Sequence, residues 1–103
     1  MKPADKPADQ LSGIRMQVYS AAWCGDCRRL KAWLEANKVV YETVPIDERE
    51  DAAAFLEAQT GKRAIPFVLV NGTSWVRGYH KESPMGFDPT LFVKEIVAAG
   101  RQT

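Results

Sequence analysis

A chain of 103 residues with 46% hydrophobic and 26% charged side chains fits one globular domain and leaves no room for a second. Fourteen Lys and Arg against thirteen Asp and Glu give a formal charge of +1, without the one-sided excess of a protein that follows a phosphate backbone, so no nucleic-acid partner is expected. No window approaches the roughly 18 continuous apolar residues of a spanning helix, and Met1-Lys2-Pro3-Ala4-Asp5 lacks the apolar centre of a secretory signal; no membrane partner and a reducing cytoplasmic setting are expected.

The doubled element Lys2-Pro3-Ala4-Asp5, Lys6-Pro7-Ala8-Asp9 has balanced charge and no bulky apolar side chain, so residues 1–13 read as a flexible tail ahead of a domain over 14–103. Met16-Gln17-Val18-Tyr19-Ser20 alternates as a strand does and runs into Ala21-Ala22-Trp23-Cys24. Leu30, Trp33 and Leu34 then recur at helical spacing, with Cys27 one turn before Leu30, which predicts a helix from Cys24 or Gly25 to about Asn37. A second strand is expected over Val39–Ile46, with Pro45 placing it at an edge or an end, since proline donates nothing to a ladder.

Asp47 followed by Glu50 resembles a capping pair, and Ala52, Phe55, Leu56 and Gln59 lead to Gly61 as a stop, which predicts a helix of about three turns. Ile65–Val70 is an apolar run, Asn71-Gly72 a hairpin signal, and Thr73–Val76 a returning strand. Arg77–Phe87 reads as a loop, with His80 and Lys81 as solvated surface or, alternatively, an anion contact. Asp88 caps a last helix with Pro89 at its first position, Leu91, Phe92 and Ile96 inward and Gly100 past its end. The order βαβ-α-ββα is an α/β domain built on a mixed four-stranded sheet with helices on both faces and its first two strands parallel.

Trp23-Cys24-Gly25-Asp26-Cys27 carries the chemistry, because two thiols spaced C-x-x-C after a strand and at a helix start are the redox reading of that spacing. A thiolate attacks a disulfide, and unpaired N–H groups at a helix N-terminus stabilise negative charge on the first sulfur. Cys24 is therefore the expected nucleophile, and Cys27, one turn on and facing the core, the expected resolving thiol. Asp26 beside the thiolate opposes deprotonation, an effect that Arg28 and Arg29 offset. Structural zinc would need four ligands where His80 and carboxylates are the only others, and a structural disulfide closing so small a loop restrains little chain entropy. Two inert core cysteines are the third alternative.

These residues, with Ile65-Pro66 before the hairpin, resemble the glutaredoxin and thioredoxin superfamily over residues 14 to 99. Val40–Asp47 and Ala64–Val68 look like the glutaredoxin branch, whereas Trp23 and Gly25 look thioredoxin-like. The resemblance implies a thioredoxin-like fold, a cis Ile65–Pro66 bond, and a substrate rim of Trp23, Gly25, Asp26, Ile65, Pro66 and Gly78, with the Ile65 backbone pairing like an added strand. It implies a thiol-disulfide oxidoreductase, monomeric, with no tightly bound cofactor and no metal, and with glutathione or an analogue as reductant. Ser74-Trp75, Gly78-Tyr79 and Phe87-Asp88-Pro89 look like the glutaredoxin-like electron donors to ribonucleotide reductase and like the mycoredoxins, which makes disulfide-containing proteins and a reductase or small-thiol system the expected partners. Ala21 stands where many glutathione-using relatives have Lys, and Arg77–Lys81 where they have Gly-Gly and an acidic patch. The alternatives are an iron–sulfur carrier bridged through Cys24 in a dimer, or a redox-inactive binding module.

Overall fold

Alternation along the first strand divides the molecule into two packed layers around one sheet. The structure, a computed structural model, describes residues 10–101. Its elements are β1 (Met16–Ser20), α1 (Gly25–Ala36), β2 (Glu42–Pro45), α2 (Glu50–Thr60), β3 (Phe67–Val70), β4 (Ser74–Arg77) and α3 (Pro89–Arg101). The sheet order is β2-β1-β3-β4, with β1 parallel to β2 and the other neighbours antiparallel, a thioredoxin-like arrangement.

Met16 and Val18, with Val68, Val70 and Val76, face Leu30 and Leu34 of α1 and Phe92, Val93 and Ile96 of α3. Tyr19 and Leu69 face the other way, onto Ala52 and Leu56 of α2. Each such buried aliphatic or aromatic side chain contributes roughly 1.5–3 kcal/mol, so the α1/α3 layer dominates stability. Asn71 and Gly72 both take positive φ (52° and 75°), the requirement of the tight turn joining β3 to β4.

Several expectations shift, each for a local reason. Strand β2 starts at Glu42 because the Val39 N–H is used on Leu34 O (2.9 Å) to close the end of α1. Helix α2 starts at Glu50 behind Arg49, and Asp47 does not cap it. Gly100 lies inside α3, where a Cβ would stand 3.2 Å from Ile14, and Val93 takes the buried place expected of Leu91, which is half-buried. Residues 1–9 of the expected tail lie outside the described residues; Leu11, also assigned to that tail, is 2% exposed and packs in the core, so packing begins there. His80 is fully buried, which corrects its reading as solvated surface.

Candidate functional site

Strand β1 delivers the chain to a turn in which the Cys24 N–H donates to Ala21 O (3.2 Å), and α1 starts at the next residue. Cys24 occupies the N-cap in extended backbone, and its Sγ accepts the Cys27 N–H at 3.1 Å, the bond that an oxygen usually accepts at this position. Cys27 is fully buried one turn on, and Cys24 keeps 8% of its surface. Both are free thiols, packed with Ala21 and flanked by Ile46 and Ile65. Burial, and secondarily the hydrogen bond with Cys24, push the Cys27 thiol up to about 12, against smaller opposing effects of the Ala21 backbone and Lys31.

The rim residues fall around this turn. Trp23 is 69% exposed, Gly25 is the exposed first residue of α1, and Asp26 in the first turn is paired with Arg29. Across from them the Ile65–Pro66 bond is cis, with Pro66 buried and Ile65 half-buried against the two cysteines. Gly78 donates its N–H to Pro66 O at 2.9 Å; a Cβ there would stand 2.7 Å from Leu30 Cδ2 and 3.1 Å from Pro66 Cγ, so only glycine lets the chain pass. All eight expected site residues therefore gather at one end of the sheet.

Three residues, Asp47, His80 and Gly86, escaped the sequence reading of this site. Asp47 accepts the Ala22 N–H on Oδ2 at 3.0 Å, tying the end of β2 to the turn before Cys24; its spacing to Glu50 had pointed to a helix cap instead. His80 Nδ1 accepts the Asp88 N–H at 3.0 Å, which leaves the ring hydrogen on Nε2 for Glu95 Oε1 at 3.3 Å. Gly86 lies close enough to α1 that a Cβ on it would stand 3.3 Å from Arg29 Nη1, and nothing in the sequence places the two together. Among the described residues no group of three or more His, Cys, Asp and Glu could hold a metal ion, and no helix is long and apolar enough to cross a membrane.

The glutaredoxin family model matches residues 16–75. A glutaredoxin-type protein of Mycobacterium tuberculosis is 39% identical over 54 residues, a match spanning 52% of this chain and 64% of that relative. Among solved structures, NrdH-redoxin of Escherichia coli, a glutaredoxin-like protein with a thioredoxin-like activity profile, superposes with a TM-score of 0.59 at 26% identity, over 78% of this chain and 92% of that one. A buckwheat glutaredoxin–glutathione complex superposes with a TM-score of 0.51 at 28% identity, over 64% and 63% of the two chains.

Proposed function

We propose, for a chain that belongs to the glutaredoxin family, a two-thiol exchange reaction at Cys24 and Cys27 that reduces protein disulfides and mixed disulfides of small thiols. The observation that carries the reading is the Cys24 sulfur accepting a main-chain N–H at the first turn of α1 while the Cys27 thiol lies buried one turn away.

Cys24 gives its proton to solvent and its thiolate attacks one sulfur of the substrate disulfide. A Cys24–substrate bond forms, and the other substrate sulfur leaves as a thiolate. Cys27 then attacks Cys24 Sγ, the substrate sulfur leaves, and a Cys24–Cys27 disulfide remains. Two electrons and two protons have passed from the dithiol to the substrate, and an external thiol reductant restores the pair. A Cys27 thiol pushed up to about 12 stays protonated until this second step, where the substrate thiolate released in the first step is the natural base. Ile65, half-buried against the two cysteines, offers its backbone to an extended substrate segment beside the sulfurs, and the exposed Trp23 ring next to Cys24 can cover that segment.

Two cations near the site are already engaged, Arg29 with Asp26 and Arg77 with Glu82 and Glu95, and Ala21 leaves no cation at its own position to hold a glutathione carboxylate. The resemblance of Ser74-Trp75 and Gly78-Tyr79 to the electron donors of ribonucleotide reductase supports a protein of that kind as one substrate. The test sets glutathione with its reductase, a second small thiol with its own reductase and thioredoxin reductase in competition to reduce the Cys24–Cys27 disulfide, with insulin reduction as readout. Catalysis by the wild type with at least one system supports the reading, and insulin reduction no faster than with reductant alone in all three overturns it.

A further inference from the structure

The segment from Gly78 to Asp88 lies beyond the residues that the family model matches, yet it is closely tied down. His80 N–H donates to Gly86 O (2.8 Å), Ser83 N–H to His80 O and Gly86 N–H to Ser83 O (both 3.0 Å), while the buried His80 ring holds Asp88 and Glu95. The folded-back loop brings Gly86, at φ +78°, against α1: a Cβ there would stand 3.3 Å from Arg29 Nη1 and 4.0 Å from Asp26 Oδ1. Arg29 Nη1 is the atom that binds Asp26 Oδ1, in the first turn of the helix capped by Cys24.

We propose that Arg29, beside the open space that Gly86 leaves for it, is a positioning residue for the redox reaction: it holds the Asp26 carboxylate and offsets its charge, so that the Cys24 thiolate forms without a free carboxylate opposing it. The inference rests on the dithiol reading of Cys24 and Cys27. The charged groups around the turn are Asp26, Arg28, Arg29 and Lys31 on α1 and Asp47 at Ala22, while the loop carries Lys81 and Glu82, the latter engaged by Arg77. Asp26 is the carboxylate in the first turn of the helix that Cys24 caps, and its partner is supplied by the same helix, beside a loop whose glycine leaves it room. The pair is half exposed, so solvent screens it and the effect is modest.

The experiment follows thiolate absorbance against pH in the reduced full chain, with iodoacetamide reactivity as a second readout. Arg29→Gln is expected to raise the Cys24 midpoint by about 0.3–0.7 units, a shift that shrinks in about 1 M salt, where the screening length is only ~3 Å. Arg29→Lys keeps the charge and restores most of the wild-type value. In an Asp26→Asn background the Arg29→Gln shift falls to less than half, because no carboxylate is left to be held. Arg29→Ala, which removes the same charge at a half-exposed position, reproduces the shift with Asp26 present and less than half of it without, and serves where Arg29→Gln lowers stability too far to titrate. An unchanged midpoint, or an equal shift in both backgrounds, overturns the proposal. A wild-type Cys24 that alkylates no faster than free cysteine across neutral pH overturns the dithiol reading itself, a result distinct from either.

Discussion

Two segments meet at Pro66, and they are held by different means. Residues 20–27 are ordered through their main-chain N–H groups, Cys24 on Ala21 O, Cys27 on the Cys24 sulfur and Ala22 on the Asp47 carboxylate, and their charged side chains stay at the surface. Residues 78–88 are ordered from inside, by a buried imidazole linked to Glu95, which Arg77 ties to Glu82. A strand running into a helix builds the reactive turn from backbone geometry and leaves its side chains free for chemistry. The second segment has no regular element and needs one buried polar group, with both ring nitrogens satisfied, to take one shape. The sharpest way to break the comparison is at the sulfurs. Cys24→Ser is expected to abolish disulfide reduction completely, while Cys27→Ser still attacks but accumulates mixed disulfides with substrate, visible by mass spectrometry. Both variants should melt within a few degrees of the reduced wild type, since the turn owes its shape to the main chain.

The opposite result is expected across the way. His80→Ala removes the acceptor of the Asp88 N–H and a partner of Glu95 inside the protein, and should cost about 2–4 kcal/mol, lowering the melting temperature by at least about 10 °C. At low temperature the variant should retain the reaction at Cys24, which thermal unfolding and insulin reduction measured side by side would check. A variant that melts like the wild type would mean that the loop does not depend on the buried ring.

This contrast also explains what was legible in the sequence. The C-x-x-C spacing, the alternation in Met16–Ser20, Asn71-Gly72 and Asp88-Pro89 are local signals, and each appears in its expected place, with Asp88 Oδ1 accepting the Leu91 N–H at 3.1 Å. The cis bond at Ile65–Pro66 came through family resemblance, since an X-Pro pair alone does not specify its isomer. What failed depends on partners distant in sequence. Asp47 sits where a helix cap would, and only the parallel pairing of β1 and β2 brings it to Ala22. His80 lies among Gly, Lys, Glu and Ser, a run that reads as solvated, and its burial depends on Phe87, against which the ring packs, and on its bonds to Glu95 on α3 and Asp88.

A pH series sharpens the difference between the two sulfurs. Burial raises the Cys27 thiol from 9.0 to about 12, so the folded protein holds that proton more tightly than the unfolded chain does. The resulting stability is fully present below about pH 9 and is lost as pH rises toward 12. Tyr41, raised from 10.0 to about 12 by burial and its bond to Glu35, acts in the same sense, so the comparison has to be made against Cys27→Ala. Urea midpoints of the reduced wild type are expected to fall more steeply from pH 8 to 11 than those of Cys27→Ala. Parallel curves would show that Cys27 ionises as readily folded as unfolded.

The smallest expected effect lies at the joint between sheet and turn. The Asp47 carboxylate binds one N–H, two residues before Cys24, at an exposed position, so its loss should cost only about 0.5–1.5 kcal/mol. Its consequence for reactivity is larger in proportion, because Ala22 and Ala21 fix the direction in which the chain enters the Cys24 N-cap. Asp47→Asn keeps an oxygen acceptor and should reduce disulfides at nearly the wild-type rate, whereas Asp47→Ala should slow alkylation of Cys24 and substrate turnover together, by about two- to ten-fold, a factor matching that bond's net worth. A helix cap would behave otherwise: both Asn and Asp serve at N-caps, so Ala would then lower stability through α2 and leave Cys24 reactivity alone. Measuring thermal stability and Cys24 alkylation on the same two variants separates the roles, and unchanged alkylation in Asp47→Ala would return Asp47 to the helix.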